Sequence, residues 1–206
     1  MRRIVKSLAV LSVLALGACG GGGGSVLSFD NSSTADRVII TVQGPSNVAR
    51  VLPGAVLPLS ASSVKGSQNG YLSNNSYTWS ATLVASGQYA VNPLGVTKPC
   101  QPILFQPAGP LTGSPPAPPP AFPYTADFSL YLTIDPTNES NVELIPPTIV
   151  PNPNPIPPSG PIPPGAGTLT VNFPYCIVVT ATPRGGNANN AGSITVAVVS
   201  PSAPLN

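Results

Sequence analysis

Hydrophobic and polar side chains alternate over seven short stretches of the sequence, each rich in β-branched or aromatic residues and bounded by Gly, Asn or Pro. A period of two residues is typical of half-buried β-strands, because successive side chains point to opposite faces of a sheet. No stretch after residue 25 has the period of an α-helix. The pattern therefore predicts an all-β fold, a β-sandwich of about seven strands. The predicted strands cover residues 37–43, 55–62, 76–83, 127–134, 168–173, 176–182 and 193–199.

The single tryptophan lies in the third of these stretches. In residues 76–83, Trp79 shares one face with Ala81 and Leu83, whereas Thr and Ser occupy the other face. We therefore expect Trp79 to anchor the core.

The chain begins with a short basic segment that contains Arg2, Arg3 and Lys6, followed by an apolar run over residues 8–16. This layout predicts a signal peptide over residues 1–18, and its apolar part is shorter than the roughly 20 residues of a membrane-spanning helix. The run ends in Leu16-Gly17-Ala18-Cys19, which resembles the bacterial lipobox. The resemblance implies cleavage before Cys19 and lipidation of that cysteine.

A glycine run follows the cysteine, and glycine has no side chain to pack. We expect residues 19–35 to be a lipidated, flexible tether, and Gly20 implies transfer to the outer membrane by its resemblance to lipoprotein sorting rules. Removal of the three signal-peptide cations changes the formal charge from +2 to −1. The remaining cations are scattered, so nucleic acid is not an expected partner.

Two cysteines remain after Cys19, namely Cys100 and Cys176. An even number of cysteines in an oxidising compartment favours a disulfide between them, and two separate buried thiols are the alternative. Prolines are concentrated in two segments, 101–123 and 146–165, which we interpret as loops or polyproline struts inserted in one domain over residues 36–200. Residues 201–206 form a C-terminal tail.

The predicted hairpin loop over residues 184–192 is rich in Gly and Asn, which tolerate positive φ, and is expected to be exposed. Because loops carry recognition at low cost to stability, we consider this loop or the Pro-rich insertions as the binding surface. The candidate loop residues are Arg184, Gly185, Gly186, Asn187, Asn189 and Asn190.

Three stretches together resemble bacterial immunoglobulin-like domains, namely YTWSATLVASGQYAVNPLGVT at 77–97, CIVVTATPRG at 176–185 and GSITVAVV at 192–199. The resemblance implies an immunoglobulin-like sandwich. Cys100 follows the tryptophan, whereas antibody-type domains have a cysteine before it. A Cys100–Cys176 bridge would therefore differ from the intersheet disulfide of antibodies.

The sequence contains no histidine, which excludes the Ser-His, Cys-His and His-metal sites of many enzymes. The spacing of the six carboxylates selects no catalytic pair. We therefore expect no catalytic residue, no metal and no cofactor. The expected function is that of a non-enzymatic, lipid-anchored envelope protein that binds or spaces an unidentified protein or glycan, with adhesion as one such role.

Two alternatives remain open. One is a periplasm-facing accessory subunit of an envelope assembly. The other, less favoured, is a carbohydrate-binding module that uses exposed aromatic rings, for which the candidates are Tyr71, Tyr89, Phe122 and Tyr124.

Overall fold

The computed structural model describes residues 37–44, 48–64, 71–72, 76–91, 95–109, 120–154, 166–184 and 190–202. The predicted signal peptide, the lipobox with Cys19 and the glycine tether lie outside these residues. The regular elements among the described residues are β-strands and short 3₁₀ turns, including one at Ser129–Tyr131, with no α-helix, which confirms the predicted all-β fold. The strands are β1 (Arg37–Val42), β2 (Arg50–Val51), β3 (Leu57–Val64), β4 (Tyr71–Leu72), β5 (Tyr77–Val84), β6 (Gln88–Ala90), β7 (Thr97–Pro99), β8 (Leu104–Pro107), β9 (Phe122–Pro123), β10 (Ala126–Asp127), β11 (Leu132–Ile134), β12 (Asn141–Leu144), β13 (Gly167–Thr170), β14 (Tyr175–Pro183) and β15 (Gly192–Val198).

Two five-stranded sheets enclose one core. The first has the order β1-β3-β12-β11, with β4 beside β3, and the second has the order β10-β5-β14-β15-β2. Neighbouring strands are antiparallel except β2, which runs parallel to β15. A smaller sheet, β13-β8-β9, and the hairpin β6–β7 lie outside these two sheets.

The core is built from the alternate residues of each strand. In β5 every second side chain from Tyr77 to Leu83 is buried, and the residues between them are exposed. Trp79 is one of these core residues and is 6% exposed. Both sheets contribute to the same hydrophobic cluster; its members from β1, β3, β5, β12, β14 and β15 are Val38, Ile40, Val42, Leu57, Leu59, Ala61, Tyr77, Trp79, Ala81, Leu83, Val142, Leu144, Tyr175, Ile177, Val179, Ala181, Ile194, Val196 and Val198.

Six of the predicted strands coincide in place with β1, β3, β5, β13, β14 and β15, but the prediction of one strand over 127–134 is wrong. There the chain leaves the second sheet after β10, makes the 3₁₀ turn and enters the first sheet as β11. The Asp127 carboxylate accepts a hydrogen bond from the Ser129 N–H at 2.8 Å, and Phe128 is fully buried. This local side-chain bond competes with a continuous strand.

The predicted disulfide is confirmed. Cys100 and Cys176 are bridged, with their Cα atoms 5.6 Å apart. Cys176 lies on β14 but points away from the main core, into a second buried cluster that includes Tyr89, Ala197 and Val199. The bridge therefore fastens the end of the β6–β7 hairpin onto the outer face of the second sheet.

Gly192 on β15 lies very close to the backbone of β1. A Cβ at this position would overlap the carbonyl group of Val38 on β1. Gly192→Ala is therefore expected to lower the free energy of unfolding by about 1 to 3 kcal/mol, the usual cost of overpacking. Urea unfolding monitored by Trp79 fluorescence measures the effect, with Ser193→Ala, at an exposed neighbouring position, as the control. Equal stability of the two variants would contradict the close packing of β1 on β15.

Candidate binding surfaces at the two ends of the sandwich

The described ends of three polar connections lie at one end of the sandwich, which we name the loop end. These connections join β3 to β5, β11 to β12 and β14 to β15. The register places them together, because Tyr77 pairs with Pro183 and Gly192 pairs with Ala181. Arg37, the first residue of β1, pairs with Val64 and so lies at the same end.

An ion pair links two of these connections. A guanidinium nitrogen of Arg184 lies 3.3 Å from the Glu139 carboxylate, and the Arg184 side chain is 58% exposed. The indole N–H of Trp79 donates a hydrogen bond to the Glu139 carbonyl at 2.8 Å, and the Arg184 N–H donates to the Ser76 carbonyl at 2.8 Å. The loop end is thus tied directly to the core, although an exposed pair of this kind adds less than about 1 kcal/mol to stability.

The β11–β12 turn has its own hydrogen bonds. The Asp135 carboxylate accepts from the Thr137 hydroxyl at 2.6 Å and from the Thr137 N–H at 2.8 Å, and these bonds hold the pKa of Asp135 below its usual value. Asn138 accepts from the Ser140 hydroxyl in the same way, at 2.6 Å. The turn is therefore a preorganised, anionic surface at neutral pH.

The candidate loop 184–192 is described only at its ends. Arg184 lies at the loop end with its side chain half exposed, and Asn190 is partly buried beside the start of β15. Gly185, Gly186, Asn187 and Asn189 lie outside the described residues. Sequence reasoning missed Glu139 and Ser76 as the partners of Arg184, because they are distant in sequence and only the strand pairing brings them together.

The opposite end of the sandwich, which we name the groove end, has a different character. A groove of about 560 Å³ lies between residues 147–152 and 167–175, with Pro53 at its rim. Ile149 is 82% exposed and Phe173 is 37% exposed. The described lining residues include no charged side chain. The Pro-rich insertion thus begins as one wall of an apolar groove.

Tyr175 lies at the base of this groove. Its hydroxyl is buried and has no hydrogen-bond partner among the described residues. Burial raises the pKa of Tyr175, so the side chain stays neutral at physiological pH. Nothing in the local sequence pattern predicted the groove, because alternation assigns residues to faces of a sheet and not to its ends.

Three of the four aromatic candidates for a sugar-binding platform have described side chains, of which Phe122 and Tyr124 both pack against Phe105, whereas Tyr89 lies in a separate cluster. Tyr89 is buried beside the disulfide, and Phe122 is exposed but packs edge-on against Phe105. Tyr124 is partly buried against the main core, and the side chain of Tyr71 lies outside the described residues.

Within the described part of the chain, no group of three or more acidic or cysteine side chains could hold a metal ion. The same residues include no helix long and apolar enough to cross a membrane. Compared with known proteins, the chain matches no family model, no curated protein and no solved structure.

Proposed function

We propose that this protein is a non-enzymatic, lipid-anchored binding or spacer module of a bacterial cell envelope, built on an immunoglobulin-like domain. The observation that carries the proposal is the strand order. If β1, β3, β5, β11, β12, β14 and β15 are lettered A to G in chain order, the neighbours in the first sheet are A-B-E-D and those in the second sheet include C-F-G. These are the strand orders of the two immunoglobulin sheets. This topology is used for recognition through loops carried on a rigid framework.

The position of Trp79 also supports the proposal. It lies on β5, which corresponds to strand C, where immunoglobulin domains carry their buried tryptophan. The domain differs from the simplest immunoglobulin domains in its extra sheet β13-β8-β9 and in a disulfide on the outer face of the second sheet.

The proposed lipid anchor rests on residues 16–19, and the position of the first described residue supports an orientation for the domain. Arg37 lies at the loop end, whereas the groove end is the farther one. A lipid on Cys19 would therefore keep the loop end nearer to the bilayer on average and present the groove end outward. We propose the outer membrane as the anchoring membrane and an unidentified protein or glycan as the partner.

Metabolic labelling with an alkyne fatty acid tests the anchor. Wild-type protein is expected to incorporate the label and to stay with the membrane fraction, because two acyl chains hold a protein stably. Cys19→Ala is expected to lose both properties, whereas Ser25→Ala, in the same segment, keeps them. Labelling that persists in Cys19→Ala would refute the anchor.

Protease digestion of intact and permeabilised cells then separates the two envelope roles. Digestion on intact cells favours a surface-binding or adhesive module. Protection until permeabilisation favours an accessory subunit of a periplasmic assembly, and the adhesive role would be abandoned.

A further inference from the structure

Among the described residues, strand β13 has one edge without a partner strand, which we name its open edge. On its other edge it pairs with β8, so that Gly167 lies opposite Pro107 and Leu169 lies opposite Phe105. The Gly167 N–H donates instead to the Asn154 carbonyl at 2.8 Å, and the Gly167 carbonyl accepts from the Asn152 amide at 2.6 Å. The main-chain groups of Gly167 therefore point away from β8.

Main-chain groups two residues apart in a strand point to the same side. The N–H and carbonyl of Leu169 therefore also point away from β8. The strand has no further neighbour in its sheet among the described residues, and Asn152 and Asn154 cover only Gly167. Proteins commonly protect such an edge with Lys, Pro or a bulge, and residues 167–170 contain neither Lys nor Pro.

The open edge lies along the apolar groove. Gly167, Thr168 and Leu169 line the groove together with Ile149 and Phe173. Asn152 also lines the groove, but its side-chain amide already makes hydrogen bonds within the protein. The amide nitrogen donates to the Gly167 carbonyl, and the amide oxygen accepts from the Asn154 N–H. The site thus offers a main-chain donor and acceptor on one side and apolar surface for side chains on the other.

We propose that the groove binds an extended, uncharged peptide segment of a partner protein, which adds to the edge of β13 and pairs its main chain with Leu169. Strand addition takes affinity from main-chain hydrogen bonds and specificity from pockets for alternate side chains. The absence of charged groups among the described lining residues selects apolar over acidic or basic side chains. This inference deepens the proposed binding function but does not depend on the lipid anchor.

The test uses the full chain, purified in detergent, and a panel of acetylated, amidated heptapeptides in which Thr alternates with Val, Ile, Leu or Phe. Binding is followed by fluorescence anisotropy and by amide NMR of residues 167–173. At least one peptide is expected to bind in the millimolar range or tighter and to slow the hydrogen exchange of the Leu169 N–H. N-methylated or Glu-substituted versions of the same peptide are expected to bind at least tenfold more weakly.

Two pairs of variants locate the contact. Leu169→Pro and Leu169→Ala both replace the leucine side chain, but only proline removes the backbone N–H, and we expect the Pro variant to bind at least tenfold more weakly than the Ala variant. Proline is tolerated on edges whose N–H is unpaired.

Ile149→Glu places a charge in the groove and is expected to weaken binding at least tenfold. Its control, Leu130→Glu, lies outside the groove at a position that is 75% exposed and is expected to bind normally.

No binding by any peptide of the panel would overturn the inference, and so would equal binding by Ile149→Glu and Leu130→Glu. Concentration-dependent self-association that is lost in Ile149→Glu would assign the edge to a second copy of this chain, which also overturns it. In each case the labelling of Cys19 and the protease experiment would still decide the proposed envelope function separately.

Discussion

Replacing Cys100 and Cys176 together by alanine is expected to lower the free energy of unfolding by about 4 to 5 kcal/mol on the chain-entropy model, because the bridge closes a long loop. The two cysteines are 76 residues apart in sequence. A loss of this size is a large part of the 5 to 15 kcal/mol that typical domains have in total. Urea unfolding of oxidised wild-type protein and of the double variant, at equal protein concentration, measures the difference.

The same bridge predicts where the structure loosens first. Cys100 directly follows the β6–β7 hairpin, whose buried Tyr89 lies in the second cluster and not in the main core. In the double variant, amide exchange is expected to increase in residues 88–99 before it does in β14. Thr97→Ala, which removes only an exposed hydrogen bond to Gln88, is the matched control and should change stability by no more than about 0.5 kcal/mol. A double variant as stable as this control would contradict a structural role for the disulfide.

Much of the sandwich could be predicted from alternation, because its long strands have one buried and one exposed face. β5 shows this most clearly, with every second residue buried from Tyr77 onward. β12 was missed although Val142 and Leu144 are almost fully buried, since four residues give too short a pattern to distinguish a strand from a loop. The length of the alternating pattern decided which strands could be recognised: β13 also has four residues, but the alternation around it runs over residues 168–173.

The sites were less predictable than the strands. A break between β14 and β15 could be predicted from the Gly and Asn content of residues 184–192, and the disulfide from the even number of cysteines and the expected oxidising compartment. The groove could not, because Ile149 lies in a segment without periodicity and meets Phe173, the last residue of a predicted strand, only when β13 and the chain after β12 pack at the same end. A site that forms where the ends of distant segments meet cannot be recognised from the alternation of hydrophobic and polar residues in either segment.

Trp79 gives the second large effect. Replacing it by alanine is expected to lower the free energy of unfolding by about 3 to 5 kcal/mol, because the side chain is almost fully buried between the sheets and its removal leaves a cavity. Ser80→Ala, at the next and exposed position of β5, should change stability by no more than about 0.5 kcal/mol. Thermal or urea unfolding followed by far-UV circular dichroism measures both without the indole signal.

Trp79→Phe separates the packing of this side chain from its hydrogen bond. Phenylalanine keeps much of the apolar volume but cannot donate a hydrogen bond to the Glu139 carbonyl. Loss of this bond is expected to lower the free energy of unfolding by about 1 kcal/mol, in addition to the effect of the lost volume. Because Glu139 also pairs with Arg184, the NMR signals of the β11–β12 turn and of Arg184 should shift in this variant. They should be unchanged in Ser80→Ala. Unshifted signals in Trp79→Phe would mean that the loop end is held independently of the core, and that its surface can vary without cost to the sandwich.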